Sequence, residues 1–140
     1  MLQQDTIKMA TEMDTGELET RSCILFMENE HKEALAHLQL ALSQDVPLER
    51  KVIMEIRMAE ILDILGREKE ALEELRRTYP SLKSVSPSSK IMFYIALAKH
   101  YLHCPFLAIR HLETAFSIAE QNGFGHQLNE ISFMIAEISA

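Results

Sequence analysis

Tryptophan is absent from the chain, glycine and proline number four each, and cysteine two, in 140 residues. So little glycine and proline excludes the collagen-like, linker and low-complexity classes, while 47% hydrophobic and 25% charged residues describe a soluble, helix-rich globular body. Cys23 and Cys104 stand far apart and form no CxxC pair, so neither a disulfide framework nor a zinc ribbon is written here, and a reducing compartment suits two free thiols. Basic residues are outnumbered, 14 against 21 acidic, for a net charge of -7. That balance excludes a phosphate-backbone binder, which gains affinity by setting Lys and Arg against nucleic acid, and Arg76-Arg77 is an isolated basic pair. No apolar run approaches the roughly 18–20 residues of a membrane span, and MLQQDTIKMATEMD lacks the apolar centre of a signal peptide. The expectation is a cytoplasmic protein, or a fragment of one, in a single domain; at this length roughly two-thirds of the unfolded surface is buried without help from disulfides or metal.

What is present is repetition. HKEALAHLQLAL at residues 31–42 returns as REKEALEELRRTY and, more weakly, as FLAIRHLETAF, with Ala34, Ala71 and Ala108 at intervals of 37 residues. The same shift aligns Leu35, Leu72 and Ile109, then Leu38, Leu75 and Leu112, then Ala41, Thr78 and Ala115. This is the spacing of one helical face. Upstream, Ser22, Ala59 and Ala96 align, as do Ile24, Ile61 and Ala98, and Met27, Ile64 and Tyr101, so each unit is two helices. Gly66 ends the first helix of the middle unit, where a left-handed residue is wanted, and Pro80 closes the second. SLKSVSPSSK, residues 81–90, reads as the longest linker, with Ser86 before Pro87 starting the next helix. Asp14 or Thr15 caps the helix carrying Cys23, and residues 3–13 read as an added turn or helix. QNGFGHQ breaks the chain before LNEISFMIAEISA, a lone final helix that caps the array. The units fall at about 14–46, 47–83 and 87–121, with the capping helix at about 125–139: seven helices and no strand.

In the middle unit Ala59, Leu62, Gly66, Ala71, Leu75 and Pro80 occur in the order and near the spacing of a tetratricopeptide repeat, which the chain resembles. The first unit matches through Ser22, Leu25, Ala34, Leu38, Ala41 and Pro47. The third keeps Ala96, Ala108, Leu112 and Ala115, but has Lys99 where Leu62 stood and turns through His103-Cys104-Pro105 without a glycine. The likeness covers residues 17–139, and its 37-residue period exceeds the family's 34. Longer units of this kind are similar to those of bacterial regulators and signal receptors. The resemblance implies an all-α, right-handed superhelix of about three hairpins plus a capping helix, a non-enzymatic adaptor that binds protein or peptide in its concave groove. By the register, that groove is lined by Glu19, Cys23 and Phe26 of the first unit. Ile53, Arg57, Glu60 and Asp63 follow from the second, and Tyr94, Leu97 and His100 from the third. Mixed charge there suits a peptide with basic and apolar side chains. The alternative is the sensor or oligomerisation part of a larger bacterial regulator, self-associating through its terminal helices.

Chemistry-bearing residues do not assemble into a stronger reading. His100, His103, Cys104 and His111 form the densest ligand-type cluster, yet two of them fall at a turn, and surface or turn histidines are the better account; no metal or cofactor is expected. Cys23, among Ile24, Leu25, Phe26 and Met27, is a small packing residue rather than a nucleophile, with no histidine beside it in sequence. No phosphate-loop, dinucleotide-binding, nucleophile-elbow or HExxH pattern is present, so no enzymatic activity is expected. Met54, Met58, Met92 and Met134 lie on first helices, where most serve the core and some would line the groove.

Overall fold

The computed structural model describes residues 13–140. Helix α1 (Thr15–Met27) starts where Asp14 Oδ1 accepts the Glu17 N–H at 2.8 Å, satisfying one of the donors a helix start leaves free. Then follow α2 (His31–Leu42), α3 (Leu48–Ile64), α4 (Glu68–Thr78) and a 3-10 segment (Tyr79–Ser84). The chain continues through α5 (Pro87–His100), α6 (Pro105–Gln121) and α7 (Gly125–Ser139). There is no strand among the described residues. The extra helix expected over residues 3–13 lies, Met13 apart, outside them.

The turn within each pair explains much of the register. Gly66 has φ +79°, and Arg67 N–H donates to Leu62 O at 2.8 Å across it. Thirty-seven residues earlier Asn29 takes φ +63° and Glu30 N–H donates to Leu25 O at 2.8 Å, so the same helix-ending turn is built from asparagine, the residue after glycine that best tolerates a left-handed backbone. Gly123, at φ +68°, repeats the turn before α7, with Phe124 N–H on Ala119 O at 2.9 Å. The third pair departs: Cys104 N–H bonds Tyr101 O at 2.8 Å, and Pro105 opens α6.

Each helix packs most extensively on its hairpin partner, α1 on α2, α3 on α4 and α5 on α6, with α2 on α3, α3 on α5 and α6 on α7 next. The aligned alanines Ala34, Ala71 and Ala108 are fully buried, as are Leu38, Leu75 and Leu112 beside them. Ser22, Ala59 and Ala96 are also buried, and the Ser22 hydroxyl donates to Ala34 O at 3.0 Å, so a small side chain brings the two helices of the pair together. Burial is divided among three adjoining clusters, around α1–α2–α3, α3–α4–α5 and α5–α6–α7.

Two expectations need correction. The linker over residues 81–90 shrinks to Val85 and Ser86, because Tyr79–Ser84 is 3-10 helix and Pro87 already belongs to α5. Leu82 and Val85 are buried in the second cluster, and this apolar anchorage holds the segment against α3. Ser86 caps α5 as expected, accepting from Ser89 N–H at 3.3 Å; its own N–H and hydroxyl donate to the Glu49 carboxylate on α3, both at 2.9 Å. Recurrence also does not guarantee burial: Met27 and Ile64, which share a repeat position, are 79% and 53% exposed at their helix ends.

Candidate binding cleft between α1 and α3

The last two turns of α1 and the middle of α3 enclose a depression of about 280 Å³. Cys23, Phe26 and Met27 form the α1 wall, Arg57, Glu60 and Ile61 the α3 wall, with Leu38 of α2 and Met92 of α5 beneath and beside them. Phe26, 37% exposed, is fixed edge-on against the His31 ring at 5.2 Å. Four of the ten residues expected from the register, Cys23, Phe26, Arg57 and Glu60, therefore meet at one place. Glu19 joins them at the rim, bridging α1 to α3 through Arg50 at 2.8 Å and Arg57 at 3.5 Å.

The other five expected residues are distributed differently. Asp63 accepts the His100 Nδ1–H at 2.8 Å, joining α3 to α5, and the His100 side chain is only 7% exposed. Ile53 is half-buried on α3. Tyr94 lines a separate depression with Tyr79, Leu82, Lys83, Lys90 and Ile118, where burial, and then the neighbouring Tyr79, push its phenol above the ordinary value. Leu97 lines another, with Leu72, Arg76, Tyr79 and Tyr101, among α4, α5 and α6. Tyr94 and Leu97 thus sit with second-helix residues and do not reach the α1–α3 cleft. Their register equivalents Arg57 and Glu60 do; Tyr94 meets the 3-10 segment and α6, and Leu97 meets α4 and α6, whereas the charged pair stays nearer the surface in ion pairs with Glu19 and Lys99.

Among the methionines, Met54 is fully buried, Met58 and Met134 pack against the core, and Met92 lines the cleft. Ser22, Met27, Leu38 and Ile61 are cleft residues the sequence did not point to, since all four align with repeat positions that suggested packing; for Met27, its place on the final turn of α1, past the buried Leu25, was the available signal.

The histidine cluster is organised by an aromatic ring. Tyr101 stacks on His111 at 5.6 Å, meets His100 edge-on at 4.9 Å and His103 at 6.0 Å. Burial, then nearby Arg110, holds His111 below its ordinary pKa. Among the described residues no three ligand-type side chains converge on a common point. Both cysteines are free and half-buried. No helix among them is long and apolar enough to cross a membrane.

No protein-family model matches the chain, and no curated protein matches it either.

Proposed function

We propose that the chain is a non-enzymatic module that binds a protein or peptide, built as a right-handed α–α superhelix of the tetratricopeptide-like kind with first helices lining the binding face. The observation that carries this is the meeting of Cys23, Phe26, Arg57 and Glu60 around one apolar depression between successive first helices. Burial in three adjoining clusters supports the repeat reading, because stacked units bury their faces only against their neighbours.

The test is a pulldown from the cell of origin, read by mass spectrometry, with the wild type and two variants. Phe26→Ala, Arg57→Ala and Glu60→Ala together leave helicity unchanged, the two charged sites costing within about 0.5 kcal/mol each and Phe26, packed on His31, about 1–2 kcal/mol. They lower the affinity for the recovered partner by 2 kcal/mol or more, roughly the effect of removing residues at an interface centre. Glu73→Ala with Arg76→Ala, on α4, leaves binding intact. The opposite pattern, loss from the α4 variant alone, rejects the cleft.

A second reading, the self-associating part of a larger regulator, draws on α7. Phe133 occupies the repeat position of Ser22, Ala59 and Ala96, all buried, yet is 65% exposed. Under this reading Phe133→Asp shifts a dimer to monomer in analytical ultracentrifugation; a wild type that sediments as a monomer rejects it.

A further inference from the structure

We propose that the α1–α3 cleft takes one uncharged apolar side chain of a peptide, of leucine, methionine or phenylalanine size, as its anchor; this rests on the peptide-binding reading above. Size comes first. At about 280 Å³ the depression lies at the lower edge of the roughly 300–1,000 Å³ typical of small-molecule sites, with room for one large apolar side chain. The walls come second: Phe26, Met27, Ile61 and Met92 offer apolar surface, and the unbranched thioethers of Met27 and Met92 adjust to anchors of differing shape.

The rim decides between anchor chemistries. Glu19 is already held by Arg50 and Arg57, and Glu60 by Lys99 at 3.3 Å, so both carboxylates on this rim have cationic partners from α3 or α5. A basic anchor would have to displace Arg57 or Lys99, and an acidic one would have to take Arg57 from Glu19. Either would exchange one partly exposed ion pair for another with no net gain in pairing, whereas a neutral apolar side chain disturbs none of these pairs and gains the apolar walls. The mouth is apolar too, with Met27 79% and Phe26 37% exposed, so the anchor gains contact as it enters. The electrostatic complement of this cleft is therefore a neutral residue, and the mixed basic and apolar peptide suggested by the register narrows to its apolar part.

The experiment pans a random peptide library on the intact protein, then titrates synthesised enriched peptides into protein carrying methyl-labelled methionine. Met27 and Met92 resonances are assigned with Met27→Leu and Met92→Leu. The expected result is a family of peptides sharing one leucine, methionine or phenylalanine, which shift both resonances to saturation and weaken about tenfold when that residue becomes alanine. Phe26→Ala with Met27→Ala produces a similar loss with an unchanged circular dichroism spectrum, because both side chains reach solvent. Peptides anchored by a charged residue that shift the same two resonances overturn the neutral anchor and leave the cleft as the binding site. Peptides that leave Met27 and Met92 unmoved, or a library that yields no binder, overturn both the anchor and the cleft.

Discussion

Glu55 shows how a single residue is shaped by the hairpin around it. Its carboxylate lies between α3 and α4, where burial raises its pKa above 4.5 and the nearby Glu74 raises it further; Lys51, the Thr78 hydroxyl and Arg77 offset only part of this. Glu74 itself is 4% exposed and bonded to Arg77, so it cannot turn away into water. A carboxyl whose folded pKa exceeds its unfolded value favours the native state when protonated. Stability from this group is therefore present at and below about 4.5 and is lost as pH rises through the folded pKa. Glu55→Gln removes the charge and keeps the hydrogen-bonding shape. It is expected to raise the melting midpoint at neutral pH, with the gain closing as the pH is lowered towards 4.5, in a thermal melt series. An unchanged midpoint at neutral pH would show that Lys51 and Arg77 neutralise the site fully.

Among the elements, the helix-ending turns test the repeat most directly. Gly66 meets nothing within 4 Å of an added Cβ, so space is not at issue there, and only the backbone at φ +79° resists a side chain. Gly66→Ala is expected to destabilise by about 1–2 kcal/mol, the usual cost of a left-handed alanine. At Asn29 the strain is already present, with φ +63°, and Asn29→Gly relieves it while enlarging the unfolded ensemble, so a change within about 0.5 kcal/mol is expected. Urea denaturation of both variants measures the contrast; equal effects would mean the two turns are not the same device. The glycine turn was legible in the sequence and the asparagine turn was not, because asparagine serves caps, turns and surfaces alike, and only its place 37 residues before Gly66 marks it.

For the whole molecule, segmented burial predicts uneven protection from exchange. Helix α3 places Val52, Met54, Ile56, Ala59, Ile61 and Leu62 in the interior, whereas α7 buries Ile131 alone. Native-state hydrogen exchange is expected to show α3 most protected and α7 opening first, since local opening costs least where few apolar contacts are lost. Equal protection throughout would reveal one cooperative core. Among the described residues the seven helices, most of their ends and the pairing alanines were legible because caps, turns and i, i+4 periodicity are local properties of adjacent residues. The sequence by itself also determined which small residues lie at the hairpin crossings, since Ala34, Ala71 and Ala108 recur where any larger side chain would hold the helices apart. Only the tertiary structure decided which first-helix residues share a cleft. Asp63 and His100 tie α3 to α5, while α1 meets α3 across an opening bridged by Glu19. Those arrangements depend on contacts between unlike side chains in different units. A register that makes Glu60 and Leu97 equivalent cannot reveal that one remains on the rim while the other settles among α4, α5 and α6.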